Sequence, residues 1–554
     1  MRSLLITIAL TAALAAAAPC PPDGPVTADI RAVGCADLRL TVISDNITLA
    51  IEGATGTINV TSAAAGTTLR LLDSTIAGNL TLSGSHAFAD VRRSTITGTD
   101  VVVLSGGRNA TIAVVDSTLT GVVVASVLSS SFRASITIVN STLNATRYAA
   151  SVVGVTIRDV AIVVTASHLA LAGGNNVGVV ALAAATVVNA EMVATASSIT
   201  CDAGQNVGIL GTGHDSSTTW TNVIVSAADS TVVTSNATKF VGVLGAASNL
   251  VSWTNVTVSA ALANVTSIAK DYVGILGASS RSRLSWTNVT VSAARANVTS
   301  IAGGFVGILG AGSQSRVTWT NVTVSAALAT VSSTAGSDVG VLGAGSGADV
   351  TWVNVTISAA LASVKSTAVS FVGVIGAGCY SGVTWANVTF WAALANVTST
   401  AKAYVGVLGA ASTLDSSWTN VTVSVALANV TSTADSLVGI IGAGCGGAVG
   451  WTNVTVSAVL ANVTSLSVSN YVGVLGVACF SDVSWRMVTV SVVLANVTCL
   501  AGDYEGVLGA GCGGAVTWTN VTVSAVLANV TSTAAGAVGV LGAGSYRGAV
   551  TGRT

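Results

Sequence analysis

Hydrophobic and polar residues alternate almost strictly in short stretches along most of the chain. The segment VTVSA at 256–260 is one example; Val, Thr, Ile and Ser dominate such stretches, while Gly and Asn separate them. A period of two with this composition predicts β-strands and excludes helical repeats. After the N-terminus we find no uninterrupted apolar run of about 18 residues, so we expect no integral transmembrane helix there.

Tryptophan marks a long repeat in the second half of the chain. Around each Trp lies a variant of WTNVTVSAALANVTS, followed by VGVLGAGS, as at 253–267 and 273–279. Repeats of about 20 to 50 residues indicate a solenoid, a propeller or an array. The sequence numbers differ by 33, and once by 34, between successive members of the series Trp220, Trp253, Trp286, Trp319, Trp352, Trp385, Trp418, Trp451, Trp485 and Trp518.

The upstream repeats show what one unit is. A propeller blade could not begin at about 20 residues and keep its four strands. We therefore predict an all-β fold, a parallel β-helix or β-solenoid, with one coil per repeat of about 20 to 34 residues and with corner loops that lengthen. The Ser-Thr-Ile/Leu signature, whose spacing grows from 20 to 33, recurs at Ile76, Ile96, Leu119, Leu143, Leu169, Ile199 and Val232.

Each coil is predicted to have three sides. In the repeat that begins at Val251, the apolar phase slips at Asn255, continues to Leu262 and slips again near Asn264. A one-residue slip reverses the face of every side chain, so each slip predicts a corner. Asn suits such corners because it tolerates a left-handed backbone and can bond the same amide one coil away. The Val-Gly-Val/Ile-Leu/Ile-Gly segment is the predicted third side.

The first residues resemble a secretory signal peptide rather than part of the fold. Arg2 gives a positive start, 4–14 are apolar, and 15–18 are small, which favours cleavage near Ala17 over a retained membrane anchor. We therefore expect secretion, or display on the extracellular face of the cell. The predicted organisation is a signal peptide at 1–18, a cap at 19–40, short coils at 41–215, and regular coils at 216–554 with an open or truncated C-terminal end.

The motifs ITIVNSTL at 136–143 and TIAVVDSTL at 111–119 and the later VTVSAALANV array resemble the right-handed parallel β-helix of pectin-lyase-like proteins. The glycosylation-rich units are also similar to membrane-associated surface repeat proteins of protists, kinetoplastids in particular. The first resemblance implies only an architecture. The second implies a cell-surface context and no known chemistry.

Composition narrows the classes of function. The chain is 51% hydrophobic and 8% charged, with 21 Lys and Arg against 22 Asp and Glu. A disordered chain needs low hydrophobicity and high net charge, and a nucleic-acid binder needs a basic surface. Both classes are excluded, and no motif suggests a cofactor or a metal.

Asn-X-Ser/Thr sequons are dense, and they allow two interpretations. One is a glycan coat. The other, which we favour, is a set of structural Asn ladders with scattered glycans, because a sugar on every coil would have neighbours only about 4.8 Å apart. The candidate glycosylation sites are Asn46, Asn59, Asn79, Asn109, Asn140, Asn144, Asn236, Asn255 and Asn264, the last two of which begin two columns in the array.

The Trp column predicts either an inward aromatic stack, which we favour, or an exposed strip that binds sugars. An exposed strip would be an apolar band about 45 Å long, which a monomer tolerates only as an interaction face. Thr257 and Ser259 predict an outward Thr-x-Ser face that resembles the ice-binding faces of some solenoids, although a solvated polar face is the simpler interpretation.

The eight cysteines predict disulfides rather than a metal site, since no CxxC motif occurs. Cys20 and Cys35 are close enough in sequence to join within the cap. Cys445, Cys479 and Cys512 share one column of the repeat, so Cys479 could bond either neighbour but only one of them.

The sequence offers little for catalysis. His86, His168 and His214 fall at unrelated points of their coils, and the one close mixed-charge cluster that we would test is Asp90, Arg92 and Arg93. We expect a non-catalytic secreted or cell-surface repeat rod for adhesion, coat or spacing, whose partner is an unidentified surface glycan or protein. The alternatives are a carbohydrate-active β-helix enzyme and an ice- or glycan-binding solenoid.

Overall fold

The computed structural model describes residues 18–105, 108–128, 132–153, 156–173, 176–179, 181–183, 186–202, 204–467, 471–533, 538–545 and 550–553. Over these residues the chain is all-β, without a helix, and its strands are stacked in parallel as a β-solenoid. The predicted fold class is confirmed. The predicted signal peptide lies outside the described residues except for Ala18, which begins the first strand.

A regular coil contains four strands, whereas the sequence predicted three, one on each side of the coil. An 11-residue long strand is followed by a second strand of five or six residues, and the Val-Gly-Val/Leu-Gly region contributes a short third strand and a short fourth strand. The long and fourth strands belong to one sheet, and the second and third strands to the other. Each pairs with its equivalent one coil away, as Trp253 pairs with Trp286 and Val265 with Val298.

The bounds of these strands repeat from coil to coil. The long strands are Leu284–Ala294, Val317–Ala327, Val350–Ala360, Val383–Ala393, Ser416–Ala426, Val449–Val459, Val483–Val493 and Val516–Val526. The second strands are Asn297–Ala302, Thr330–Ala335, Ser363–Thr367, Asn396–Thr400, Asn429–Ala434, Asn462–Ser467, Asn496–Leu500 and Asn529–Thr533. The third strands are Phe305–Gly307, Val339–Gly340, Phe371–Gly373, Tyr404–Gly406, Leu437–Gly439, Val472–Gly473, Glu505–Gly506 and Val538–Gly539. The fourth strands are Ala311–Ser313, Ala344–Ser346, Ala377–Cys379, Ala410–Ser412, Ala443–Cys445, Val477–Cys479, Ala510–Cys512 and Ala543–Ser545.

The strands of the earlier coils belong to the same two sheets as the strands of the regular coils. In the first sheet the strands are Ala18–Pro19, Ile30–Val33, Thr48–Glu52, Thr68–Leu72, Phe88–Arg92, Ala110–Val115, Phe132–Val139, Thr156–Thr165, Thr186–Thr195, Thr212–Ala228, Ala246–Ala261 and Ala278–Ser280, and Val550–Arg553 follows the array. In the second sheet they are Gly24–Val26, Leu38–Val42, Thr55–Ser62, Thr75–Ala77, Leu80–Leu82, Thr95–Thr97, Val102–Ser105, Thr118–Val123, Ser126–Leu128, Thr142–Tyr148, Ser151–Val153, His168–Ala172, Asn176–Val179, Ala181–Ala183, Ser198–Asp202, Asn206–Ile209, Val232–Ala237, Phe240–Val243, Asn264–Ala269 and Tyr272–Gly274.

The growth of the repeat occurs in the strands as well as between them. The first-sheet strand has five residues at Phe88–Arg92, eight at Phe132–Val139 and ten at Thr156–Thr165. Our expectation that corner loops alone absorb the added residues was therefore wrong. An added strand residue extends the backbone hydrogen bonding between neighbouring coils.

At one coil the residue that occupies the repeated Ile/Leu position lies one residue later than predicted. Ile199 pairs with Val233, whereas Val232 pairs with Ser198. The cause is an additional residue at the preceding corner, where Asp229 and Ser230 both have left-handed backbone angles. The insertion is confined to that corner, because Val233 pairs in turn with Val265 of the regular array.

The core is a continuous column of small and branched apolar side chains, with the tryptophans at its centre in the regular half. The indoles from Trp220 to Trp485 are at most 1% exposed and stack on one another with ring centroids 4.5–5.2 Å apart. Trp518 continues the stack and is partly buried. Glycine is required beside this core, because a Cβ on Gly307 would overlap the carbonyl oxygen of Ala278.

Each long strand bends at one position, and the Asn residues at this position in successive coils form a ladder of hydrogen-bonded side chains. Asn255 and its equivalents in the following coils have φ near +55°, and from Asn222 to Asn453 each Nδ2 donates to the Oδ1 of the preceding Asn over 2.8–3.0 Å. These are the conformation and the amide bonding predicted for a corner Asn. The second predicted corner lies two residues earlier than expected, at Leu262 rather than Asn264.

Leu262 is exposed rather than part of the core. Its φ is +54°, and its backbone N–H donates to the carbonyl of Ala294 one coil on. The left-handed backbone reverses the alternation, so that Ala263 is buried and Leu262 faces solvent. We call the equivalent exposed side chains the leucine strip: Leu262, Leu328, Leu361, Leu394, Leu427, Leu460, Leu494 and Leu527.

Candidate functional site

The cap predicted at 19–40 is built from solenoid strands. Ile30–Val33 pairs with Ala18–Pro19 on one side and with Thr48–Glu52 on the other. The structure joins Cys20 and Cys35 in a disulfide. This crosslink closes a segment of 15 residues beside the first coils, and it contributes stability chiefly by restricting the unfolded chain.

The second proposed disulfide is absent from the structure. Cys445, Cys479 and Cys512 pair in register on successive coils, but all three are free, buried thiols. Each sulfur instead lies beside a carbonyl oxygen of its own coil, at 3.1 Å from Ser481 in the case of Cys479. Stacked side chains leave the coils in parallel at the strand spacing of about 4.8 Å, whereas a disulfide prefers Cβ atoms about 3.8 Å apart.

The candidate glycosylation sites differ in accessibility. Asn46, Asn140, Asn236, Asn255 and Asn264 are exposed, whereas Asn59, Asn79, Asn109 and Asn144 are half-buried. The carboxamide oxygen of Asn79 accepts hydrogen bonds from the backbone of Thr99 and Asp100 on the next coil. In the Asn ladder, the Nδ2 atom that a glycan would modify is already a hydrogen-bond donor, as in Asn288.

The Trp column is not a surface strip, since its indoles form the centre of the core. The Thr-x-Ser face does point outward: Thr257 is exposed and Ser259 is half-buried. The Ser column of this face is interrupted by Trp391, which pairs with Ser358 and Ser424 and is 44% exposed. A single aromatic residue therefore projects from an otherwise hydroxyl-rich surface.

The two arginines of the charged cluster near the N-terminus pair with different carboxylates. Arg92 pairs with Asp90 of its own strand at 2.9 Å, while Arg93 reaches Asp73 of the preceding coil at 2.6 Å. The hydrogen bond from Arg93 lowers the pKa of the Asp73 carboxyl. The three predicted residues thus form two ion pairs at an edge and do not converge on one point.

A polar groove lies farther along the same half of the molecule. It follows the bend of the first sheet, where Asn109, Arg133 and Asp159 have left-handed backbone angles and precede the Asn ladder. Asp159 accepts a hydrogen bond from Asn189 at 2.9 Å. An adjoining cavity of about 460 Å³ is lined by His86, Arg108, Asn109, Arg133 and Asp159. His168 begins a separate strand, and the side chain of His214 lies outside the described part of the chain.

A further groove, which is lined by aromatic side chains, was not identified by the sequence analysis. Phe240, Tyr272 and Phe305 precede the Val-Gly pair of successive coils and stack with centroids 4.7 and 5.2 Å apart. The ring planes are nearly parallel, so their faces cover one another and their edges face the groove. Its volume is about 540 Å³, within the range of ligand sites.

Polar side chains complete the aromatic groove on both walls. Lys239 and Asp271 lie beside the aromatic column, and Asn249, Arg281 and Gln314 come from the segments that follow the fourth-strand region. Burial raises the pKa of the Tyr272 hydroxyl, and the nearby Arg281 guanidinium opposes this shift. The groove can therefore hold a polar ligand between an aromatic edge, amides and two cations.

The aromatic column continues past the groove, with a substitution at Asp338. Phe371 and Tyr404 stack at 5.0 Å, and Tyr471 and Tyr504 at 5.1 Å. Asp338, which is 2% exposed, takes the aromatic position between Phe305 and Phe371 and accepts a hydrogen bond from the Ser337 hydroxyl. Burial raises the pKa of this carboxyl to about 7.

Glu505 is a second buried carboxyl, in the Val column of the third strands. It pairs with Val472 and Val538 and is 0% exposed. Burial raises its pKa, and the neighbouring Cys499 thiol and Ser532 hydroxyl partly oppose the shift. Burial also raises the pKa of the Cys499 thiol, so this thiol is held in its unreactive protonated form.

Among the described residues, no three side chains of His, Cys, Asp or Glu converge as they would around a metal ion. Within the same part of the chain there is no helix with the length and apolar character needed to cross a membrane.

Comparison of the chain with protein-family models, with curated proteins and with solved structures finds no match.

Proposed function

We propose that the protein is a non-catalytic rod, secreted or displayed on the cell surface, that serves as an adhesion, coat or spacer element. The observation that carries the proposal is the unbroken register of the core columns through coils of different length. The indole stack alone extends over nine coil steps from Trp220 to Trp518, about 43 Å at the parallel strand spacing.

The stacking supports stiffness along the axis. Each coil is hydrogen-bonded to the next through both sheets, and the Asn ladder adds a side-chain bond at the bend. In a solenoid each unit contacts only its neighbours, so the regular array can be extended while its cross-section stays constant. A constant cross-section suits a spacer or a coat better than it suits a compact catalytic domain.

The surface context rests on sequence features. The signal-peptide pattern at the N-terminus, the Cys20–Cys35 disulfide and the many exposed sequons all agree with export. The resemblance of the repeats to protist surface repeat proteins agrees with a cell-surface context, and the resemblance of the fold to pectin-lyase-like β-helices agrees with a solenoid architecture.

Intact mass spectrometry tests the proposal. Protein collected from the medium, or released from intact cells by protease, should lack the signal peptide and lose mass on enzymatic deglycosylation. Detection of the chain only inside the cell, with residue 1 retained and no glycan, would contradict it. Depolymerisation of a polysaccharide panel by the same protein would favour the enzyme alternative instead.

A second candidate function is glycan binding in the aromatic groove. Its two cations against one carboxylate favour a glycan that carries carboxyl groups, since Lys239 and Arg281 outnumber Asp271. On an array of neutral and acidic glycans, Tyr272→Ala should abolish binding of the acidic ones. Tyr471→Ala removes a stacked ring of the same column outside the groove and should have no effect. Equal loss in both variants would exclude the groove as the site.

A further inference from the structure

The leucine strip is an exposed apolar surface that runs along one corner of the regular half. From Leu328 to Leu494 every coil places a leucine there, and each is 49–53% exposed. Their backbone N–H groups bond the next coil, as Leu361 bonds Ala393 and Leu394 bonds Ala426, both over 2.9 Å. The leucines are therefore held in line at the coil spacing.

The backbone of this corner does not favour leucine. All of these residues have φ between +51° and +54°, a region that Asn, Asp and Gly enter far more readily. The short coils make the same corner with Asp73, Arg93, Asp116 and Asn140, which are linked in pairs by an ion pair and a hydrogen bond. Since the corner itself can be polar, the leucines indicate a requirement for an apolar surface.

Neighbouring side chains widen the strip. The last residue of each long strand is Ala or Val, of which Val459 and Val526 are 37% and 52% exposed. Trp391 lies three residues before Leu394 and is also exposed. Arg295 is the one charged residue in the column between Leu262 and Leu527, and it lies near one end.

We infer that the leucine strip is the contact surface of a homodimer, in which two copies of the chain lie side by side and antiparallel. A two-fold axis between the coils of Leu394 and Leu427 brings Leu328 of one copy against Leu494 of the other. Arg295 then lies at the margin of the contact. The inference goes beyond the proposed function and does not depend on where the protein is located.

The spacing of the leucines and the area of the leucine strip both favour a second copy of the chain as the partner that covers the strip. A partner must present apolar groups at the coil spacing of about 4.8 Å to match successive leucines, and an identical strip does so at every position. With its exposed neighbours, the strip offers on the order of 800 Å² of apolar surface, close to the contribution of one partner to a standard interface.

The second sequon column borders the same strip. Asn396, Asn429 and Asn462 are exposed two residues after Leu394, Leu427 and Leu460, and Asn462 donates to Asn429 over 3.0 Å. Glycans on these residues would cover the leucines. The homodimer therefore requires that the Asn residues near its two-fold axis carry no glycan.

The test is the molar mass of the purified full-length protein, measured by light scattering from about 1 to 100 µM. The variant L394N/L427N/L460N removes the centre of the strip and introduces no sequon. Because Asn accepts the left-handed backbone, this variant should fold with a thermal midpoint at or above that of the wild type. The control I268T/I301T/L414T removes three other exposed apolar side chains.

We expect the wild type and the control to have twice the monomer mass, and the Asn variant to have the monomer mass. A monomeric wild type over the whole range overturns the inference, as does a dimer that survives the Asn substitutions. Glycopeptides that show occupied Asn396, Asn429 and Asn462 on a monomer would assign the strip to the glycans and overturn the inference. Flotation of a monomer with phosphatidylcholine vesicles, lost in the Asn variant, would assign it to a membrane surface and also overturn the inference.

Discussion

At the scale of single residues, the repeat shows which positions the architecture controls. Asn255 and its equivalents combine a left-handed backbone with amide bonds to both neighbouring coils, so their residue type follows from the geometry. Met487 keeps the same backbone angle without the amide, and there the ladder is interrupted. The backbone conformation is thus imposed by the coil, and the amide adds stability to it.

Asp338 predicts a pH dependence of stability. Its pKa is raised by burial from 3.8 to about 7, so folding favours the protonated carboxyl. The stabilisation is fully present below about pH 4 and is lost as the pH rises through 7, a change of roughly 4 kcal/mol at most. The apparent midpoint temperature of unfolding should therefore decrease as the pH is raised from 4.5 to 7.5. Asp338→Asn should remove much of this fall.

Asp435 provides the control for this measurement, because it is an exposed carboxyl in the same half of the chain. Asp435→Asn should leave the pH profile as in the wild type. The fall that remains in the Asp338 variant belongs to Glu505, whose pKa burial also raises. An identical profile for the Asp338 variant and the wild type would show that this carboxyl is ionised in the folded protein.

At the scale of elements, the long strands are joined through their tryptophans. Trp352 is fully buried between Trp319 and Trp385, with centroid distances of 4.8 and 5.2 Å, and Phe390 packs against it at a tilt. Every such strand therefore contributes a tryptophan that packs against the strands one coil away.

Trp352→Ala should destabilise the central coils by about 3–5 kcal/mol, the usual cost of removing a buried aromatic side chain. Hydrogen exchange would show the loss as faster exchange in the strands that contain Trp319 and Trp385. Ser333→Ala is the matched control, since Ser333 is equally buried and its hydroxyl has no hydrogen-bond partner among the described residues. Its stability should be unchanged or slightly higher. Unaltered exchange around Trp352→Ala would mean that the stack contributes little.

Much of the element structure was predictable because the repeat shows the same residue pattern in every regular coil. The alternation around Val256 and Val258 predicts buried strand positions, and the slip at Asn255 predicts a bend. The same pattern wrongly predicts a core position for Leu262, because an apolar residue in phase with Ala260 gives no sign that its own backbone is left-handed.

The aromatic groove was only half predictable. One wall could be predicted from the sequence, since Phe240, Tyr272 and Phe305 all precede a Val-Gly pair. The opposite wall depends on how the coil closes, which brings Asn249, Arg281 and Gln314 across from the rings. No local pattern encodes that closure, so the groove emerges only from the folded chain.

At the scale of the whole molecule, the two halves share one architecture and differ in surface chemistry. The corner that carries charge at Asp73 and Arg93 carries leucine from Leu262 onward, except at Arg295. The short coils thus present a polar edge that favours solvent, and the regular coils an apolar edge that favours contact. The rod has a different surface character in each half while its core stays continuous.

The pairing of each indole with an equivalent indole on either side also bears on how such a gene can change. Loss or duplication of one complete repeat unit by recombination leaves Trp286, for example, between two tryptophans as before. Alleles of different copy number would then encode proteins that differ in reach by about 4.8 Å per unit and little in fold. Variation in length is the form of divergence that this arrangement tolerates most readily.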